Sequence, residues 1–173
     1  MLVIMAGVPG SGKSALARAL SQRVDGAVLD KDVIRQALFA AEDIEYSAAQ
    51  DDFIMELMFK AAAYLLGKNA GRIVFLDGRT FSQAYQRRRA TEFAESIGAR
   101  WRIVECVCSE ATARRRLTND AASGRHPAAN RTLELYERVR ASFEPIEEAK
   151  IVIDTDAPLE TCVERVAAMI RSE

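Results

Sequence analysis

The sequence predicts an α/β domain built on a parallel sheet, and two observations predict it. Short apolar runs recur along the chain with helical patterns between them, the alternation expected of parallel strands joined by crossover helices. The first run leads straight into a glycine-rich turn and then a helix, so a helix N-terminus is presented at the carboxyl edge of the sheet. Leu2, Val3, Ile4, Met5 and Ala6 are apolar at every position, as a strand covered on both faces must be. A helix over 12–23 follows, with Leu16 and Leu20 one turn apart. Further strands are expected at 27–29, 72–76, 101–108 and 150–153, and helices at roughly 32–41, 47–67, 82–97, 109–121, 129–143 and 158–171. The helix over 47–67 has the clearest pattern. Ser47 and Gln50 have capping-box spacing. Phe53, Ile54, Leu57, Met58, Ala61, Ala62 and Leu65 then form a stripe opposite Asp51, Asp52, Glu56 and Lys60.

Composition bounds the functional classes. The chain has 173 residues, 49% of them hydrophobic, enough for one domain over 1–173 with its own core. No internal repeat, low-complexity tract or linker divides it. A net charge of −1 supplies no basic field for nucleic acid or membrane, so neither is an expected partner. Met1 leads directly into the first strand and no apolar stretch approaches spanning length, so a cytoplasmic protein without a signal peptide is expected. Cys106, Cys108 and Cys162 make an odd count without metal-ligand spacing, which reads as free thiols in a reducing setting. Nothing in the pattern specifies an oligomeric state.

The segment Gly7-Val8-Pro9-Gly10-Ser11-Gly12-Lys13-Ser14 matches G-x-x-x-x-G-K-[ST], the phosphate-binding P-loop. Its backbone N–H groups, with those of Ala15 at the helix start, would surround the phosphates of ATP at the positive end of a helix dipole. Lys13 would reach the β- and γ-phosphates, and the Ser14 hydroxyl would ligate Mg²⁺. These residues therefore form the expected nucleotide site.

Later strand ends carry further chemistry. Leu29-Asp30-Lys31-Asp32-Val33-Ile34-Arg35 follows the second strand. An acid at this junction also suits a simple helix cap, but Asp32 and Arg35 share a helix face. That pairs a proton acceptor with a group that orients it or holds an anion. Asp77 ends the third strand as a Walker B acid would, oriented towards Mg²⁺ or its water, with Arg79 and Thr80 just beyond. Arg114, Arg115 and Arg116 precede the stretch 119–130, which contains Arg125, His126 and Pro127, with Arg131 just after it. Arginines here would add positive charge from a closing lid, whereas His126 reads as a surface or loop residue. Thr155 and Asp156 read as caps of the last helix, in a loop expected near the P-loop.

These residues together resemble a small P-loop kinase of the group containing polynucleotide 5′-kinase, chloramphenicol phosphotransferase and zeta-toxin-like kinases. The resemblance implies a three-layer P-loop NTPase fold: a five-stranded parallel sheet in the order 2-3-1-4-5, helices on both faces, and a helical lid at about 114–131. It implies that Asp32 is the general base and that Arg35 holds either Asp32 or the substrate. It also implies that Asp77 is the acid near the metal and that Arg116 contacts the nucleotide. The group's second lid arginine has no counterpart in Thr118-Asn119-Asp120, so Arg125 would substitute. Lys13, Asp32 and Arg116 are thus the expected catalytic residues, and Asp32, Arg35, Arg79 and Arg125 the expected acceptor contacts. The expected activity is transfer of the γ-phosphoryl of ATP to a small-molecule hydroxyl. A polynucleotide 5′-kinase would need a basic channel with stacking aromatics, which a charge of −1 and 7% aromatic residues disfavour. The other alternative is a non-catalytic ATP-binding module.

Overall fold

The computed structural model describes residues 1–123 and 132–171. Five strands, β1 (Leu2–Ala6), β2 (Gly26–Asp30), β3 (Ile73–Asp77), β4 (Trp101–Val107) and β5 (Lys150–Asp154), form one sheet in the order β2-β3-β1-β4-β5. Every pairing is parallel. This is the order that the resemblance implied. Helices α1 (Lys13–Arg23), α2 (Lys31–Leu38), α3 (Ala48–Lys68), α4 (Ala84–Ser96), α5 (Glu110–Ser123), α6 (Leu133–Ala141) and α7 (Leu159–Arg171) connect or follow the strands.

Two cores explain why β1 is apolar throughout. Val3 and Met5 point to one face, where Leu16 and Leu20 of α1 and Val163, Val166 and Ile170 of α7 cover them. Leu2, Ile4 and Ala6 point to the other, beneath Ile54, Met58 and Ala62 of α3 and Ala90 and Ala94 of α4. A strand buried on both faces loses the polar half of its alternation.

The helix boundaries differ from expectation in instructive ways. α2 stops at Leu38 because Phe39 turns extended while its N–H still caps the carbonyl of Arg35; a 3-10 turn, Ala41–Asp43, follows. Ser47 caps α3 by accepting from Gln50 N, but Gln50 does not return the bond: its amide holds Glu45 N and the carbonyl of Asp43. The buried face of α3 centres on Ile54, Met55, Met58, Phe59, Ala62 and Leu66, leaving Phe53 53% exposed. Asp51 and Asp52 consequently turn toward α2 and the β3 edge, not simply to solvent.

The sheet register sets up the functional edge. Asp30 lies opposite Asp77 at the ends of β2 and β3, and Gly7 N donates to the carbonyl of Thr80, 3.0 Å away. No helix among the described residues is long and apolar enough to cross a membrane.

Candidate active site

The turn between β1 and α1 closes only with glycine. Gly10 has φ +80°, and a Cβ there would meet the carbonyl oxygen of Ala113 at 2.8 Å. At Gly7 a Cβ would meet the carbonyl oxygen of Cys106 at 2.4 Å. Both positions leave room only for backbone, so the loop's N–H groups can close around an anion. Lys13 Nζ donates back across the loop to the carbonyls of Gly7 and Val8 at 2.8 and 2.9 Å. This holds the ammonium at the centre of the turn. Ser14 and Ala15 line the cleft above it.

Arg116 sits on α5 and reaches the same loop. Its Nη1 donates to the carbonyl of Gly10 (3.2 Å) and to Thr155 Oγ1 (3.0 Å), and its Nη2 to the carbonyl of Thr155 (2.7 Å). Thr155 Oγ1 in turn donates to the carbonyl of Ser11 at 2.9 Å. Thr155 therefore does not cap the last helix, as the sequence suggested; it clamps the P-loop to the β5–α7 connection. Asp156 also has another partner, accepting from Ser109 N at 2.9 Å, which lowers its carboxyl below the usual range. Arg116 thus belongs to a regular helix packed on the P-loop. Arg125, His126, Arg131 and the remainder of the expected lid to 131 lie outside the described residues.

Asp77 is 0% exposed, and neither of its carboxylate oxygens has a hydrogen-bond partner among the described residues. A buried, unpaired carboxylate is costly unless something cationic meets it. Its neighbour Asp30 caps α2 by accepting from Asp32 N and Val33 N. Burial first, and the charge of Asp77 second, push the Asp30 carboxyl above its ordinary value. Two acids forced together beside a phosphate loop, with the Ser14 hydroxyl close in sequence to Lys13, fit a hard divalent cation such as Mg²⁺.

The third part of the site is an ion-pair cluster between α2 and α3. Arg35, 1% exposed, donates from Nη1 to Asp32 Oδ1 (2.7 Å) and from Nη2 to Asp51 Oδ1. Lys31 Nζ donates to Asp51 Oδ1 at 2.7 Å and lies 3.6 Å from Asp32 Oδ1. Arg35 is therefore paired with both Asp32 and Asp51, and contact with a substrate would require leaving both carboxylates. Tyr46 packs its ring over the Arg35 guanidinium at 5.0 Å. Arg79, 6% exposed, donates to Asp52 Oδ1 (2.7 Å) and to the Tyr85 hydroxyl (3.4 Å).

One cleft of about 740 Å³ joins these parts. Lys13, Ser14 and Arg116 line its one end, and Lys31, Asp32, Tyr46, Asp51, Arg79 and Tyr85 the other. Sequence reasoning placed Asp51 only on the polar face of a helix and Thr155 only as a helix cap near the P-loop. Asp51 had a signal, since it is an acid in the first turn of a capped helix, but its partners lie on another helix.

Sheet order, glycine turn and strand-end acid define a P-loop NTPase fold. The chain belongs to the AAA domain family (AAA_33), whose model matches residues 2–146. Solved structures repeat the architecture. APS kinase of Mycobacterium tuberculosis, in complex with AMPPNP and APS, superposes with a TM-score of 0.74 at 19% identity, covering 98% of this chain and 96% of that one. Kti12 of Chaetomium thermophilum, in complex with ADP-AlF3, gives 0.70 at 14% identity over 99% and 98%. A gluconokinase from Sinorhizobium meliloti 1021 gives 0.65 at 18% identity over 96% and 89%. Among curated proteins, none matches the chain by sequence.

Proposed function

We propose that this chain is an ATP-dependent phosphotransferase that moves the γ-phosphoryl group to a hydroxyl of a small-molecule acceptor. The observation that carries the reading is the shared cleft: a phosphate-binding glycine turn at one end and, at the other, a carboxylate held by a buried arginine, with one oxygen unbonded among the described residues. A nucleotide-binding module without transfer has no use for that second end. The kinase names of the APS kinase and gluconokinase neighbours, and the AMPPNP bound in the former, agree with it.

The residues divide the work as follows. Residues 7–15 bind the triphosphate through backbone N–H groups, and Lys13 neutralises charge on its outer phosphates. Bound Mg²⁺, held by Ser14 and Asp77, would supply charge neutralisation at the phosphate oxygens. Arg116 keeps the P-loop against Thr155 and lies beside the nucleotide. Asp32 accepts the hydroxyl proton as the new P–O bond forms and the bond to the ADP leaving oxygen breaks. Arg35 keeps that carboxylate aimed. Positioning and charge stabilisation supply most of the barrier reduction, because the transferring group needs little covalent assistance. Arg125 is retained as a candidate for additional charge from the lid.

The test uses γ-labelled ATP with pooled alcohols, sugars, nucleosides, antibiotics and 5′-hydroxyl oligonucleotides. Label covalently attached to a small acceptor is expected. Release solely as inorganic phosphate would point to a hydrolytic or sensing module, and label on the oligonucleotide to a polynucleotide kinase.

A further inference from the structure

The ion-pair cluster that α2, α3 and Arg79 bring to the cleft is paired within the chain, and the exposed Arg138 lines the cleft outside that cluster. Lys31 and Arg35 face Asp32 and Asp51, and Arg79 faces Asp52. An anionic acceptor needs cations that the protein has not neutralised. Within this cluster it would have to pull the buried Arg35 or Arg79 away from carboxylates already paired with them, and leaving a buried cation unpaired is unfavourable. A cationic acceptor meets the converse problem in Lys31 and Arg35.

What the cluster leaves open is uncharged hydrogen-bonding capacity. Asp32 and Asp51 each spend Oδ1 on the cations, and among the described residues neither Oδ2 accepts a hydrogen bond. Both side chains line the cleft, and the Lys31 ammonium bridges them at 3.6 and 2.7 Å, so the two carboxylates are close neighbours. Arg79 Nε has no acceptor among the described residues, but it is buried and not open to the cleft. A hydroxyl can donate to the free carboxylate oxygens without adding charge. Tyr46 and Tyr85 also line the cleft.

Resting on the phosphotransfer reading, we propose that the acceptor is a neutral polyhydroxylated compound that presents one hydroxyl to Asp32 and a second to Asp51. Asp51 is then a specificity-determining residue: it binds the hydroxyl that is not phosphorylated.

The test compares matched acceptors on the wild-type chain, reading ADP release and the mass of the phosphorylated product. One panel holds neutral sugars, cyclitols and nucleosides; the other holds their phosphorylated, carboxylated and amino counterparts. The best neutral acceptor should exceed its charged counterparts in kcat/KM by about a hundredfold or more, because mispaired polar groups in a site are heavily discriminated. Asp51→Asn should raise KM for that acceptor about 10- to 100-fold while kcat and MgATP affinity stay within about threefold. Preference for a charged counterpart, with transfer intact, would overturn the acceptor class and leave phosphotransfer standing. No phosphorylated product from either panel would overturn the phosphotransfer reading and the acceptor class with it. The panel comparison needs no variant, so it decides the matter even if Asp51→Asn is unstable.

Discussion

Replacing Asp32 with asparagine separates chemistry from architecture. The amide keeps an oxygen for Arg35 Nη1, which donates to Asp32 Oδ1 at 2.7 Å, but it cannot take up a proton. Loss of a general base typically lowers transfer by about 10²–10⁴, equivalent to about 2.7–5.4 kcal/mol of transition-state stabilisation. The structural cost should be smaller. Asp51 contacts both Lys31 and Arg35, so neither cation is orphaned. The loss should then stay near the about 1–3 kcal/mol of one charged hydrogen bond and below the about 3–5 kcal/mol of a buried pair stripped of its only partner. Single-turnover transfer at saturating MgATP, calorimetric MgATP affinity and the thermal midpoint together give the three numbers. Transfer within about threefold of wild type, or an affinity loss matching the rate loss, would refute the assignment of Asp32 as base.

The other predictions concern the nucleotide end. Lys13→Ala removes the ammonium that spans the carbonyls of Gly7 and Val8 and should lower kcat by at least about 10²–10³; steady-state assays retaining most of the activity would take the P-loop out of the mechanism. Asp77→Asn exchanges a buried unpaired carboxylate for a neutral amide, so the metal-free protein should melt at a higher temperature while Mg²⁺-dependent turnover falls. Calorimetric scans that show lower stability would mean that the carboxylate has a structural partner. Asp30 supplies the pH dependence. Its folded carboxyl sits above the ordinary value of 3.8, so the folded state binds more protons there and stability declines as pH rises through the interval just above that value. Asp30→Asn keeps an N-cap oxygen and should be the more stable protein at pH 7, with the difference disappearing below the ordinary value; urea titrations across that range check it, and a difference that grows on acidification contradicts it.

How much the sequence revealed follows from how local each signal is. The glycine turn, β1 and α1 are contiguous, and their conformation is dictated by residues within one short segment. Asp32 and Arg35 are one helical turn apart, so helix periodicity alone brings them together. The sheet order rested on resemblance and agrees with the strand pairing found. Asp51 is different: it lies 16 residues from Arg35 and meets it only because α3 packs against α2. On a helical pattern it was merely part of the polar face. Thr155 and Arg116 are 39 residues apart and converge on the P-loop through tertiary packing, so local propensity favoured a helix cap at Thr155. Phe53 was placed in the core by periodicity and is exposed, because the buried face of α3 is rotated toward Met55, Phe59 and Leu66. Local pattern supplied the elements and the glycine turn; the charge cluster between α2 and α3 is written in contacts between helices.

The central claim is that a hydroxyl acceptor sits against Asp32 with the γ-phosphoryl of ATP in line beyond it. A crystal structure of the chain with Mg²⁺, ADP, a planar metal fluoride and the preferred neutral acceptor tests this most directly. The account predicts the reacting oxygen about 2.6–3.2 Å from Asp32 Oδ2 and in line with the fluoride, and a second hydroxyl on Asp51. An acceptor bound away from the α2–α3 end of the cleft, or an Asp32 carboxylate turned from the reacting oxygen, would contradict it.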